Sequence, residues 1–221
     1  MSDEIGVATV RLGVLISGSG TNLQAIIDAI EAGTLDAEVA LVISNRQGAY
    51  GLERARNANI PAIWIDSTAC STASECNSRI RDALLAHEVD FVVMAGYMKL
   101  LGVEVLDAFE DRVVNIHPSL LPAFAGAAGI SDAFEYGVKF TGVTVHFANE
   151  RFDEGPIIAQ RVVEILPEDT LESLEARIHE VEHSLYPEVL QWLAQGRVVI
   201  EGRKTCILPV ATTENDFADN I

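Results

Sequence analysis

The sequence predicts a Rossmann-like α/β fold: a mostly parallel central sheet with helices on both faces and antiparallel strands added in the C-terminal half. Three observations carry this. Short β-branched apolar runs alternate with segments of helical apolar spacing through the first half, the pattern of buried parallel strands joined by crossover helices. Hairpin signals are missing from that half. Further on, two apolar runs flank the turn ANERFDEGP, which brings them together as antiparallel neighbours or joins them by a long loop.

Arg11–Ser17 (RLGVLIS) is an apolar run ending in Gly-rich sequence and reads as a buried strand. Asn22–Ala32 has helical apolar spacing and stops at Gly33. Glu38–Ile43 is a second strand, Leu52–Ala58 a helix, Ala62–Ile65 a short strand, Ala73–His87 a helix and Asp90–Ala95 another buried strand. Arg112–Asn115 is a strand leading into NIHPSLLPAFAGAAGIS (115–131), and Ser131–Tyr136 a short helix. Gly142–Phe147 and Ile157–Val163 are strands, and Leu171–Gln195 is a long helix interrupted or bent near Pro187.

A length of 221 residues with 49% apolar content suits one domain spanning 1–221, with no linker or repeat to divide it. The last stretch, LPVATTENDFADNI (208–221), reads as a frayed acidic tail. The N-terminus lacks the basic region and cleavage site of a secretory leader. No apolar run approaches the ~20 residues of a membrane span, so a cytoplasmic protein is expected. Cys70, Cys76 and Cys206 form an odd set without metal-ligand spacing and read as free thiols. A net charge of −18 argues against nucleic acid or an anionic membrane as partner. It does not exclude small anions, which a helix start can hold on an acidic protein.

In open sheets of this kind ligands sit beyond the carboxyl ends of the strands, where the candidate motifs fall. SGSGTN (17–22) follows the first strand and opens a helix. Its glycines permit a tight turn that aims the N–H groups of Gly20, Thr21 and Asn22 at an anion. Leu23 occupies the third glycine position of a dinucleotide fingerprint and no Gly-Lys-Ser/Thr follows, so a single phosphate fits better, with a plain strand-to-helix turn as the alternative. Asn115 ends a strand, where its amide can donate to a developing oxyanion. His117 can donate a proton or a hydrogen bond, and a carboxylate beside it favours its charged form. Asp153, in FDEGP, sits between two strands that can return it to the same edge; alone it reads as a turn former. His146 has two readings, a lining residue of this edge or a satisfied strand histidine. AGYMKLLG (95–102) offers a flat heterocycle slot or a plain connector. Glu182 and His183, neighbours in the long helix, read by themselves as solvated.

ISGSGTNLQAI, ISNR, GLERA, AGYMKLL, NIHPSLLP, GVTVHF and DEGPIIAQ occur in this order from about residue 11 to about residue 200. Together they resemble the phosphoribosylglycinamide formyltransferases of the formyltransferase superfamily, folate-dependent enzymes of purine synthesis. NIHPSLLP with the downstream GxTxHF and DxGP marks the superfamily, and SGSGTNLQ narrows it to this branch. The resemblance implies transfer of a formyl group from 10-formyltetrahydrofolate, as co-substrate, to the amine of glycinamide ribonucleotide, with no metal. It divides the domain into a phosphate-binding half (about 11–110) and a catalytic and folate-binding half (about 111–200). Gly20, Thr21 and Asn22 would bind the substrate phosphate, and Glu182, with its helix neighbours His179, Glu180 and Val181, the ribose. Met98, Lys99, Leu100 and Leu101 would line the folate pocket, with Asn149, Glu150, Arg151, Phe152 and Asp153 closing over the pterin. Asn115, His117 and Asp153 would be the catalytic trio. A monomer or homodimer is expected.

The chain departs from the family pattern after LLP. Ala125 stands where proline is expected, Ala128 where histidine is, Ser131 where arginine often is, and Ala73 near a position that commonly carries an arginine. The segment therefore reads as stripped of side-chain support for His117, and Ala128→His is expected to raise activity. A weakened or inactive folate- or phosphate-binding paralogue, or an enzyme formylating another amine such as a sugar nucleotide, are the alternatives these changes leave.

Overall fold

The computed structural model describes residues 9–210; most of the stretch weighed as a leader, and the acidic tail beyond Val210, lie outside the described residues. In chain order the elements are β1 (Val10–Ile16), α1 (Thr21–Glu31), β2 (Ala37–Ser44), α2 (Tyr50–Asn57), β3 (Ala62–Trp64), a single 3-10 turn (Ser67–Ala69), α3 (Ala73–Ala86), β4 (Phe91–Met94), α4 (Val103–Leu106), β5 (Val113–His117), α5 (Gly129–Tyr136), β6 (Phe140–Phe147), β7 (Ile157–Glu164), α6 (Leu171–Ala194), β8 (Val198–Glu201) and β9 (Lys204–Ile207).

Seven strands form one sheet in the order β3-β2-β1-β4-β5-β6-β7, and β8-β9 form a separate hairpin. β3, β2, β1, β4 and β5 run parallel. β6 reverses against β5, and β7 reverses again against β6, which completes the expected mixed sheet.

The two-residue period of a strand sends alternate side chains to opposite faces. Along β1, Leu12, Val14 and Ile16 enter the core shared with α1, α2 and α6, whereas Leu15 enters the core shared with α3 and α4. Burying an aliphatic side chain of this size stabilises by about 1.5–3 kcal/mol. α6 packs beside α1 and against β6 and β7, burying a stripe of Leu174, Ile178, Leu185, Val189 and Leu193. Its fully buried Tyr186 places its hydroxyl against the carbonyls of Met94 (3.1 Å) and Val114 (2.9 Å), fixing the helix over β4 and β5. Burial holds that phenol well above the ordinary tyrosine range.

Two expectations are corrected here, and one element is new. α6 runs through Pro187 without a break; the proline is buried, and packing of its neighbours outweighs the lost backbone hydrogen bond. Cys70 and Cys76 are not free thiols but a disulfide, because the chain folds back at the start of α3 and brings their Cα atoms to 5.6 Å, within the usual bridging range. Cys206 remains free and exposed. The β8-β9 hairpin was also unread: its turn is Gly202-Arg203, whose flanking VVIE and KTCI strands are too short and too mixed to show a clear period. Among the described residues no helix is long and apolar enough to cross a membrane.

Candidate active site

Strand order reverses between β1 and β4, and the crevice beyond their carboxyl ends is where such sheets bind ligands. A cleft of about 810 Å³ opens there, large for a small-molecule site. Its lining runs from Ser17–Asn22 after β1, past Asn115 and His117 on β5, to Met98, Leu100 and Phe152.

At one end, Gly20 precedes α1 in the left-handed conformation (φ 70°) and no side chain caps the helix, so its first N–H groups stay open beside the cleft. The turn needs glycine for a second reason. A Cβ on Gly20 would lie 2.6 Å from the Cα of Gly51, the residue whose N–H donates to the Gly18 carbonyl at 3.1 Å. SGSG and GLERA are therefore two halves of one close backbone approach.

Below that turn, Asn22 Nδ2 donates to Glu182 Oε2 at 3.1 Å and His179 Nδ1 to the same oxygen at 2.9 Å. Glu182 is buried, contrary to the solvated reading of its helix position. Asn22 thus offers an anion its N–H rather than its amide, while its Oδ1 is buried with no protein partner. The hydrogen bond to Glu182 outweighs partial burial and raises the His179 pKa. The His183 ring stacks on His179 (centroids 6.2 Å apart), and burial lowers its own pKa.

At the centre, β5 and β6 pair Asn115 with His146 and His117 with Thr144. His117 Nε2 donates to the Phe124 carbonyl at 2.9 Å, and Nδ1 lies 3.5 Å from Asp153 Oδ2. Only the doubly protonated ring can donate on both sides. A 3.5 Å separation is longer than a good charge-assisted hydrogen bond, so Nδ1–H can be shared with a substrate oxygen. His146 Nδ1 donates to the Phe147 carbonyl at 2.8 Å, which leaves Nε2 to accept from Asn115 Nδ2 at 3.2 Å. That bond orients the Asn115 amide so that its N–H groups, not its oxygen, face this edge; Asp153 Oδ1 lies 3.5 Å from the same nitrogen.

Burial acts to raise the Asp153 carboxyl pKa, but the Gly126 N–H and the charge of a protonated His117 help to hold it below the ordinary carboxylate range. The Gly126 N–H reaches Asp153 Oδ2 at 2.8 Å. The segment after Pro122 therefore holds the site through its main chain: the Phe124 carbonyl takes His117 and the Gly126 N–H takes Asp153. The sequence reading of a segment without side-chain support for His117 did not reach this main-chain support. Phe124 (φ 52°) and Asp153 (φ 56°) have positive φ, backbone strain of the kind stored at functional sites, and Gly126 takes φ 100°, which glycine adopts freely. The preceding turn is fixed by Thr144 Oγ1, which donates to the Ser119 carbonyl (2.6 Å) and accepts from Leu121 N–H (3.1 Å) and Gln160 Nε2 (2.9 Å).

The far end is apolar. Met98, Leu100 and Phe152 present exposed side chains to the cleft, and Leu101 and Tyr97 close it from beneath. Burial pushes the Tyr97 phenol up to about 12. Met98 N–H donates to Ser17 Oγ at 2.9 Å, joining this loop to the end of β1. Asn149 and Arg151 line the cleft, whereas Lys99, Glu150, Glu180 and Val181 lie outside its lining. Sequence reasoning gave no role to Arg46, Gly51 or Gln160, and reached Tyr97 only as part of AGYMKLLG. Arg46 follows the carboxyl end of β2, a strand-end position that could have marked it. Among the described residues no cluster of His, Cys, Asp or Glu is arranged to hold a metal ion.

An open helix start, an Asn/His/Asp edge and an apolar slot on one doubly wound sheet are parts a group-transfer enzyme can use. The model of the formyl transferase family matches residues 10–190, and the chain belongs to that family, in its phosphoribosylglycinamide formyltransferase branch. It is 46% identical over 209 residues to the phosphoribosylglycinamide formyltransferase of Haemophilus influenzae, covering 95% of this chain and 99% of that one. To the Bacillus subtilis protein of the same name it is 40% identical over 183 residues, 83% of this chain and 94% of that one. The crystal structure of glycinamide ribonucleotide transformylase 1 from Symbiobacterium toebii matches with a TM-score of 0.90 and 50% identity, covering 92% and 96% of the two chains.

Proposed function

We propose that the chain transfers the formyl group of 10-formyltetrahydrofolate to the amine of glycinamide ribonucleotide by direct attack, in the cytoplasm. The observation that carries this is the position of Asn115, His117 and Asp153. They converge midway along the cleft, between the open start of α1 and the apolar slot of Met98, Leu100 and Phe152. The residues fit both ligands. N–H groups at a helix start suit a phosphate, Glu182 can accept from ribose hydroxyls, and exposed apolar side chains suit a flat heterocycle.

Attack of an amine on a formamide carbon places negative charge on oxygen and positive charge on nitrogen. Asn115 Nδ2–H and His117 Nδ1–H donate to the oxygen; losing one such donor costs about 3 kcal/mol in other acyl-transfer sites. Asp153, 3.5 Å from His117 Nδ1, holds the imidazole in place across the cleft. With its pKa depressed it is a weak base, so it orders the water that carries the ammonium proton towards the departing nitrogen rather than holding that proton itself. The C–N bond to the donor then breaks as that nitrogen is protonated.

A steady-state assay with both compounds tests the reading: saturable formation of formylglycinamide ribonucleotide is expected. Binding of both without product would sink it, and equal transfer to an acceptor lacking the 5′-phosphate would overturn the role given to Gly20, Thr21 and Asn22.

A further inference from the structure

We propose that the β8-β9 hairpin positions the catalytic loop, with Arg203 as a positioning residue for Asp153. The proposal rests on the formyl-transfer reading for its kinetic part.

Asp153 belongs to the connection between β6 and β7, residues 148–156. The exit of that connection is pinned from inside. Gly155 packs so tightly on β6 that a Cβ there would lie 1.7 Å from the Phe147 carbonyl oxygen, and Phe147 N–H donates to the Pro156 carbonyl at 2.9 Å. From outside, the hairpin reaches the same point. Arg203, in the turn between β8 and β9, donates from Nη1 to the Glu154 carbonyl at 3.0 Å, and Thr205 Oγ1 donates to the Ile157 carbonyl at 2.7 Å. The hairpin is itself closed at its base: Leu208 N–H donates to the Arg197 carbonyl (2.8 Å) and Arg197 Nε to the Leu208 carbonyl (2.6 Å).

The Glu154 carbonyl is one peptide from a residue held at φ 56°, and L residues leave that conformation readily unless neighbours fix it. On the cleft side, Asp153 is gripped by Gly126 and approached by His117 and His146. Beyond it, the Arg151 N–H donates to Asn149 Oδ1 at 3.0 Å within the loop, the Arg151 side chain pairs with Glu154 in an exposed pair that contributes little order, and Phe152 is 60% exposed. The 149–153 stretch is therefore supported at one end by the site and at the other by Gly155 and the hairpin. Loss of the outer support frees the peptide after Asp153 and loosens its geometry with His117.

Arg203→Ala is expected to lower kcat roughly 5-fold, since small misplacement of a catalytic group is costly. The KM for glycinamide ribonucleotide, whose phosphate binds at the other end of the cleft, should not change, and Tm should stay within about 2 °C. Arg203→Lys should recover most of the rate, and Thr205→Val should fall in the same direction. Unchanged kcat overturns the proposal; a parallel fall in kcat, both substrate affinities and Tm overturns it in favour of a merely structural hairpin. Hydrogen exchange separates this failure from failure of the functional reading, because it needs no turnover. Amides of 149–155 should exchange faster in Arg203→Ala than in the unaltered chain, and equal exchange overturns the proposal whatever the assay shows.

Discussion

His117 is held from opposite sides, by the Phe124 carbonyl and by Asp153, and Asp153 is held in turn by the Gly126 N–H. Two consequences follow for single residues. Ala128 is exposed at the start of α5, and both ring nitrogens of His117 already have partners, so Ala128→His should leave turnover within about 3-fold of the unaltered chain, measured at saturation. This replaces the gain expected from sequence. Gly126→Ala should do the opposite. At φ 100° an alanine is strained by an estimated 1–3 kcal/mol, and relief of that strain turns the N–H away from Asp153; kcat should fall by roughly 10-fold with substrate affinities little changed. The proximity of Asn115, His117 and Asp153 was legible because Asn115 and His117 share β5 and the β6-β7 connection returns Asp153 to the same edge. Gly126 and Phe124 were not, because a main-chain donor or acceptor leaves no mark in residue type. His179 adds a pH effect. Its pKa is raised by Glu182, so the charge it can offer the anionic substrate is fullest below the ordinary histidine range and is lost as pH rises through the raised value. KM for glycinamide ribonucleotide should rise over that interval, and His179→Gln should flatten the profile.

At the scale of elements, the start of α6 shows how local chemistry fixes a helix that supplies Glu182 to the cleft. Thr170 and Ser173 form a reciprocal capping box. Asp169 accepts from Arg177 Nη1 and Nη2, both at 2.6 Å, and from Ser173 Oγ at 2.8 Å. These bonds, Arg177 first, hold its carboxyl far below the usual range. A depressed pKa contributes stability above the unfolded value of about 3.9 and loses it as pH falls through the folded value. The Tm difference between the unaltered chain and Asp169→Asn should therefore be widest near neutrality and shrink as pH drops below about 4. The same helix marks a limit of sequence reading. Pro187 carries a strong local signal for a break, but the buried faces of Tyr186, Val189 and Leu190 decide the outcome, and those contacts lie far away in sequence. The disulfide was missed for a related reason: a count of three cysteines says nothing about which two the turn before α3 brings together.

Over the whole molecule, the alternation of apolar runs was enough to place the parallel half of the sheet. The second reversal, from β6 to β7, followed from the turn ANERFDEGP that carries Asp153, whereas the first, from β5 to β6, carried no turn signal of its own. What topology adds is convergence: residues 17–22, 95–101, 115–117 and 149–153 meet only because β1 and β4 are neighbours and β6 folds back on β5. The strong acidity of the chain, net −18, does not govern this cleft, where Arg46, Arg151 and His179 all face the ligand space. The central claim is that Asn115, His117 and Asp153 perform the transfer while the two ends of the cleft only bind. Single-turnover rates of His117→Ala and Asp153→Asn, with both substrates saturating, test it most directly. Each rate should fall by roughly 100-fold or more with both substrates still bound; near-normal transfer in both variants would contradict the account.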